Sequence, residues 1–596
     1  MDILKFFKST AQLGLILLTG MLFATAAMSV SVWPLPSYYS SGDKVLWIAE
    51  NVQFTYNAVD STTSSPTYGN LTMNGNESTS TSTSTLVIDA ATTRTKDRLF
   101  SDAFIPWKFH PRNSDFEPLP NAPKIYINVV ALLQQRPDPA NIFKTLDGEL
   151  DESYNLTITE EGQVTITSLT SVGILHALET LTQLFYQSSG GEVYMQSAPI
   201  LIADAPKFSH RGLNLDVARA YYAPSDIMRT IDALSWNKFN RLHLHATDSQ
   251  SWPLDIPALP ALATNGAYMK GLSYSADVLA EIQQYGAYRG VQVIIETDMP
   301  GHASSIGLAY PDLIAAFHVQ PDWGTYSAEP PTGQLKLNSS AVYNFLDTLW
   351  SDLLPRVSPY TAYFHTGGDE VNANVYLLDE GVRSNDSAVI QPFLQKFIDF
   401  NHEHVRAAGL APMVWEEQLL QWNLTLGADV VVQTWLSDDS LAQTVAMGHK
   451  ALFGNYNYWY LDCGKGQWLD FYPSSFQEYY PFADYCSPTK NWRLIYSYDP
   501  LYNIPPNSTH LVLGGEIHMW SEQTDPVILD SMIWPRACAA AEVLWSGAKD
   551  AQGMNRSQVE ASPRLSEMRE RMVLRGVGAG PVQMVYCTQN GTQCAL

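Results

Sequence analysis

Two segments decide the fold: Arg241-Leu242-His243-Leu244-His245-Ala246-Thr247-Asp248 and Val291-Gln292-Val293-Ile294-Ile295-Glu296-Thr297-Asp298. Each is an apolar run of strand length that ends in acids, and between them Ala276–Arg289 repeats its apolar residues at helical spacing. Strand, helix, strand is the signature of a parallel crossover unit. Working outward, the same texture recurs at Gly212–Val217, Ala362–Thr366, Ala411–Trp415, Val430–Trp435, Ala451–Trp459 and Leu511–Ile517. Helical patterns at Pro224–Asn237, Ala341–Leu354 and Ile390–Ala408 lie between several of them. Eight strands alternating with helices predict an α/β fold of the closed (β/α)8 TIM-barrel type from about residue 205 to 596. An open doubly wound sheet is the alternative, but no Gly-rich phosphate loop follows any of the strands.

Upstream, residues 27–204 read as a smaller α+β domain. Its strand candidates are Lys44–Ile48, Thr85–Ile88, Lys124–Val130, Tyr154–Thr159 and Gln163–Ser168, with a helical pattern over Val172–Gln187. A Ser/Thr-rich segment at 61–85 has no apolar period and reads as a loop. Residues 1–26 resemble a signal peptide: Lys5 and Lys8, an apolar run over Leu13–Phe23, then Ala24-Thr25-Ala26. That run is shorter than a membrane span needs. Sequons at Asn70, Asn76, Asn155, Asn338, Asn385, Asn423, Asn507, Asn555 and Asn590 agree with a secreted glycoprotein. The formal charge of −25 repels phosphate backbones and anionic lipid, which argues against nucleic-acid or membrane partners. The five cysteines form no CxxC pair and no zinc-ligand cluster. The simplest pairing joins Cys463 to Cys486 and Cys587 to Cys594, leaving Cys538 buried in an Ala-rich helix face.

In such a barrel the working residues project from the C-terminal ends of the strands. Those ends carry His245 to Asp248, Glu296 to His302, His365 to Glu370, Trp415 to Glu417, Trp435, Trp459 to Asp462, and Glu516 to Glu522. Carboxylates and tryptophans recur at almost every one. Aromatic faces stack on sugar rings, carboxylates bind hydroxyls, and a carboxylic acid among apolar and anionic neighbours keeps a proton to donate. The pattern points to glycosidic-bond hydrolysis. Asp369 and Glu370 are adjacent, just past Gly367-Gly368, and neighbours in sequence are poorly placed to flank an anomeric carbon from opposite faces. They can act from one side, with the nucleophile supplied by the substrate's own acetamido group.

The runs Arg211 to Arg219, His243 to Asp248, Asp298 to His302, His365 to Glu370, Gly514 to Glu516 and Trp520 to Glu522 resemble the β-N-acetylhexosaminidases of glycoside hydrolase family 20. The resemblance runs from about Ala205 to the C-terminus, and the signal, sequons and Ser/Thr-rich insert resemble secreted fungal members. It implies an exo-acting, retaining enzyme that releases terminal β-linked GlcNAc or GalNAc, without a metal or other cofactor. A homodimer is likewise implied only by resemblance. Glu370 would be the acid/base, Asp369 would hold the acetamido N–H, and Tyr460 would hold its carbonyl. Trp415, Trp435 and Trp520 would wall the pocket. Arg211 and Glu522 would read O3 and O4, Asp462 would read O6, and Asp248 with His302 would form a relay behind Glu370. Members often carry a second acid after the position of Asp248, where this chain has Ser249. Asp216 and Arg219 read as a structural ion pair at the barrel mouth, Glu516 as a buried structural acid, and at least one of His243 and His245 as a core histidine. Two rivals remain: a chitinase-like endo-hydrolase, whose DxxDxDxE run is missing, and a silent sugar-binding protein, which would be expected to lose Glu370 or Asp369.

Overall fold

Eight parallel strands close on themselves in the computed structural model of the chain, which describes residues 31–59, 82–471 and 476–595. In chain order they are His210–Asp216, Arg241–His245, Gln292–Glu296, Tyr363–His365, Ala411–Trp415, Val431–Thr434, Lys450–Phe453 and Val512–Met519. The eighth returns to the first, with Gly514 opposite His210 and Met519 opposite Leu215. Strands covered by helices outside and by one another inside are buried on both faces. Leu242 and Leu244 face the helical layer, while His243 and His245 alternate with them into the lumen and pair with buried carboxylates there. Toward its N-terminal end the lumen holds an apolar cluster of Ile294, Tyr363, Met413, Val431 and Leu452. Above it lies a hydrogen-bonded layer around Glu296 and Glu516.

The upstream region forms a six-stranded mixed sheet with helices Thr83–Ser101 and Ser171–Gln183 packed against it. It is welded to the N-terminal end of the barrel. Lys238 Nζ sits 3.1 Å from Asp204 Oδ2, and Trp545, on a barrel helix, joins the core of the sheet domain.

Three expectations need correction. Thr85–Ile88 is not a strand: Ser82 caps a helix there, its hydroxyl accepting the Thr85 N–H, and Val87, Ile88, Ala91, Thr95 and Leu99 form its buried stripe. The Ser/Thr run before it and the β-branched Val87-Ile88 masked that helical period. The seventh barrel strand stops at Phe453 instead of Trp459, because Asn455 caps a short helix over Tyr456–Trp459. The helix expected to reach Gln187 ends at Gln183, and Tyr186–Gln187 pairs with the sheet. Cys463–Cys486 and Cys587–Cys594 are bonded as expected, with Cys538 free and buried. The signal segment, most of the Ser/Thr-rich segment, and the sequons Asn70 and Asn76 lie outside the described residues.

Candidate active site

A cavity of about 590 Å³ opens at the C-terminal ends of the barrel strands. Its lining includes Arg219, His302, Glu329, Asp369, Glu370, Trp415, Trp435, Tyr460, Asp462, Trp520 and Glu522, drawn from the ends of many strands. After the fourth strand the chain must turn sharply. Gly367 and Gly368 have φ of +69° and +103°, and a Cβ at Gly367 would lie 1.9 Å from Asp298 Oδ1. Only glycine fits such a backbone. Glu370 itself has φ of +48°, an uncommon left-handed conformation for a residue with a side chain. The turn leaves Asp369 8% exposed and Glu370 more open, side by side at the cavity wall.

Behind them stands a relay. His302 Nε2 lies 3.4 Å from Glu370 Oε2 and 3.7 Å from Asp369 Oδ2, while its Nδ1 lies 3.0 Å from Asp248 Oδ1. Burial alone would discharge His302, but Asp248 and Asp369 outweigh it and hold the imidazole well above its usual range. Asp298 accepts the Gly368 N–H at 2.8 Å. Its other oxygen and Asp369 Oδ1 are both buried without a conventional donor. Burial and the neighbouring Asp369 push Asp298 well up, which favours its protonated form beside Asp369.

The aromatic wall is held by acids. Trp415 Nε1 donates to Glu296 at 2.7 Å, and Trp435 Nε1 donates to Glu417 at 3.1 Å. The Trp435 and Tyr460 rings stand 6.2 Å apart and nearly parallel, at 11°. Six carboxylates line the cavity (Glu329, Asp369, Glu370, Asp462, Asp484 and Glu522), against Arg219 and His302. Burial shifts two of them upward: burial, with help from Asp484, pushes Asp462 up to about 7, and burial pushes Glu522 well up. Such a wall can bind neutral hydroxyls and stabilise a positive charge that develops beside Asp369.

Arg211 requires correction. It lies at the start of the first strand, about 16 Å below the strand's end at the usual rise per residue. There it is fully buried, paired with Glu152 of the sheet domain, donating to the Lys238 carbonyl at 2.8 Å and stacked over Trp545. The arginine in the cavity is Arg219. The ion pair expected with Asp216 is present at 3.4 Å, but Arg219 also reaches Asp248 at 3.0 Å, donates from Nε to Gln250 and Glu329 at 3.0 Å, and lines the pocket. Asp248 is fully buried behind His302 and does not line the cavity. Trp415, Trp435, Trp520, Tyr460, Asp462, Glu522, His302, Asp369 and Glu370 all face it as expected. Sequence reasoning missed Glu329, Trp468 and Tyr485; the last two sit on the loop clipped by Cys463–Cys486. Aromatic residues between two cysteines were the available signal.

Several His/acid trios, such as His243, Glu296 and His365, place ligand atoms within 4.8 Å of one another. Both ring nitrogens of His243 are already engaged by Glu516 and Glu296, so the trio is explained by hydrogen bonding.

Comparison with known proteins agrees with this geometry. The glycosyl hydrolase family 20 catalytic domain matches residues 208–548, and a "beta-acetyl hexosaminidase like" domain matches residues 32–184. The chain belongs to glycosyl hydrolase family 20. It is 44% identical to a beta-hexosaminidase of Arthroderma benhamiae, over 95% of this chain and 97% of that protein. It is 33% identical to a chitooligosaccharidolytic beta-N-acetylglucosaminidase of Ostrinia furnacalis, over 76% of each. Among solved structures, the exo beta-N-acetylglucosaminidase of Vibrio harveyi in complex with N-acetylglucosamine superposes with a TM-score of 0.70. At 20% identity it covers 93% of this chain and 79% of that one, a likeness of fold.

Proposed function

We propose that this family 20 member is an exo-acting, retaining β-N-acetylhexosaminidase that uses the substrate's acetamido group as nucleophile. The observation that carries the reading is the adjacent pair Asp369 and Glu370, set on one wall of the cavity and backed by His302 and Asp248. Glu370 protonates the glycosidic oxygen. Asp369, held by Asp298, positions the acetamido N–H and offsets the positive charge of the cyclised intermediate. Tyr460 holds the acetamido carbonyl oxygen, and Glu370 then takes a proton from the water that opens the ring. Trp415, Trp435 and Trp520 enclose the terminal sugar. Arg219, in the place first assigned to Arg211, reads its hydroxyls with Glu522, and Asp462 reads O6. The pocket lies over a lumen filled by buried side chains, so a glycan enters by its end.

The substrates are terminal β-linked GlcNAc or GalNAc on chitooligosaccharides or glycoconjugates. The protein is exported: two disulfides and exposed sequons at Asn155, Asn338, Asn385, Asn423, Asn507 and Asn555 suit an oxidising, glycosylating route. Among the described residues no helix is long and apolar enough to cross a membrane. A homodimer is part of the proposal, to be read by light scattering. The test is release of p-nitrophenol from GlcNAc, GalNAc and glucose β-glycosides, with the first-formed sugar followed by NMR. Activity on the two N-acetyl sugars only, with a β-anomer appearing first, is expected. An initial α-anomer, or equal turnover of the glucoside, would overturn it.

A further inference from the structure

The relay does not stop at Asp248. Asp248 offers Oδ1 to His302 and Oδ2 to His245 Nε2 at 2.7 Å, and His245 Nδ1 meets Glu296 Oε2 at 2.5 Å. An imidazole with a carboxylate on each nitrogen must donate from both, so His245 is an imidazolium clamped between two anions. Burial alone would strip its proton, but Glu296 and Asp248 hold it well above its usual range. The other oxygen of Glu296 accepts the indole N–H of Trp415, the buried wall of the sugar pocket. His243 and His365 also face Glu296, and the edge of Trp520 meets His245. Arg219, Asp298, Glu329, Asp369 and Glu370 are the remaining charged or titratable groups around His302. One fully buried carboxylate thus touches both the sugar-binding wall and the charge chain that ends at the acid.

We propose that Glu296 and His245 are positioning residues that tie the seating of the sugar to the proton affinity of Glu370. Glu296 orients Trp415 with one oxygen, and with the other fixes the charge of His245, which acts through Asp248 and His302. The proposal rests on Glu370 being the acid of the reaction proposed above. The two substitutions change opposite charges. Glu296→Gln removes an anion, and with Asp248 still holding the His245 proton, Glu370 ionises more readily. His245→Gln removes a cation and makes Glu370 harder to ionise, while Trp415 keeps its acceptor.

The alkaline limb of kcat/KM reports the group that must be protonated in the free enzyme. It should move down by about half a pH unit in Glu296→Gln and up by a similar amount in His245→Gln, as expected for one charge acting at this range inside protein. KM should rise about fivefold in Glu296→Gln, because a neutral acceptor replaces a charged one on the indole, and stay within about twofold in His245→Gln. A merely structural role lowers kcat or Tm in both and leaves the limb where it was. Limbs coincident with wild type, or moved in the same direction, would overturn the proposal. If Glu296→Gln does not fold, the upward limb of His245→Gln decides alone. The limbs are read on whichever β-glycoside the wild type cleaves, so a wrong substrate assignment and wrong wiring give different results.

Discussion

Arg211 and Arg219 belong to the same strand and its exit, yet they live in opposite chemistries. At the N-terminal end of the barrel Arg211 meets one carboxylate, three carbonyl oxygens and an aromatic face, and its partner Glu152 is also bonded to His176. Charge there is matched, Arg211 against Glu152 and Lys238 against Asp204. At the other end Arg219 serves Asp216, Asp248 and Glu329 at once, in a wall where acids outnumber bases and Glu370 sits in a left-handed backbone. The first end is built to hold two domains together. The second is kept electrostatically unbalanced, and burial together with neighbouring acids shifts Asp462 and Glu522 upward there.

The largest effects should come from the unbalanced end. Glu370→Gln removes the donor and should lower kcat by about 10²–10⁴-fold on substrates with poor leaving groups, but much less on glycosides of acidic phenols. Asp369→Asn keeps the donor and loses the charge beside the acetamido group, so its loss should be similar across the leaving-group series. Kinetics of both variants on that series separate the roles. Superimposed Brønsted plots would mean that the two acids do not divide the work.

The arginines give the next largest contrast. Arg211→Met leaves Glu152 buried with only His176 and Asn240 against it, a break of the kind that typically costs about 3–5 kcal/mol, while folded protein should keep a KM within about twofold. Arg219→Lys keeps the charge and loses the fork. Its kcat/KM should fall about 10- to 100-fold, in line with one or two charged hydrogen bonds, and its Tm should change little. Denaturant melts and steady-state kinetics on both variants check this. A KM defect in Arg211→Met would break the division between the two ends.

That contrast also marks where the sequence was legible. All eight barrel strands were readable, because a strand buried on both faces announces itself as a short apolar run between helical periods. The acid pair was readable because the glycines before it have no other reason to be consecutive. Arg211 was misplaced although the rule that would have placed it was in use. It precedes its strand's apolar run and Arg219 follows it, and working residues sit at the C-terminal end. Resemblance of a motif overrode direction along the strand. Glu296 and Glu329 were illegible for a different reason. Their roles come from partners 119 and 110 residues away, Trp415 and Arg219, and no local spacing encodes such pairs. Trp459 was drawn into a strand by the aromatic residues around it, where the Asn455 cap was the competing signal.

The smallest predicted effect tests the imbalance itself, through the pH dependence of stability. Asp462 sits at about 7, raised by burial and Asp484 above its value in an unfolded chain, near 3.9. Between those values the native protein binds a proton that the unfolded chain has released, so this group makes wild-type stability fall as pH rises from about 4 to 7. Asp462→Asn keeps the shape and removes the titration. Its Tm relative to wild type should therefore rise between pH 5 and pH 7 by a few degrees at most, then level off above 8. Glu152 at the opposite end has the reverse sign. Burial opposes its ionisation, but Arg211 and His176 prevail and lower it to about 2, so its contribution is complete at neutral pH and fades only as pH falls below about 4. Glu152→Gln should accordingly lose its stability deficit in acid, where Asp462→Asn loses its advantage. Melting curves of the two variants from pH 3 to 8 should diverge in opposite directions. If Asp462→Asn tracks wild type throughout, Asp462 titrates in the folded protein as it does in the unfolded chain, and the idea that this wall stores protons for a neutral sugar fails at that residue.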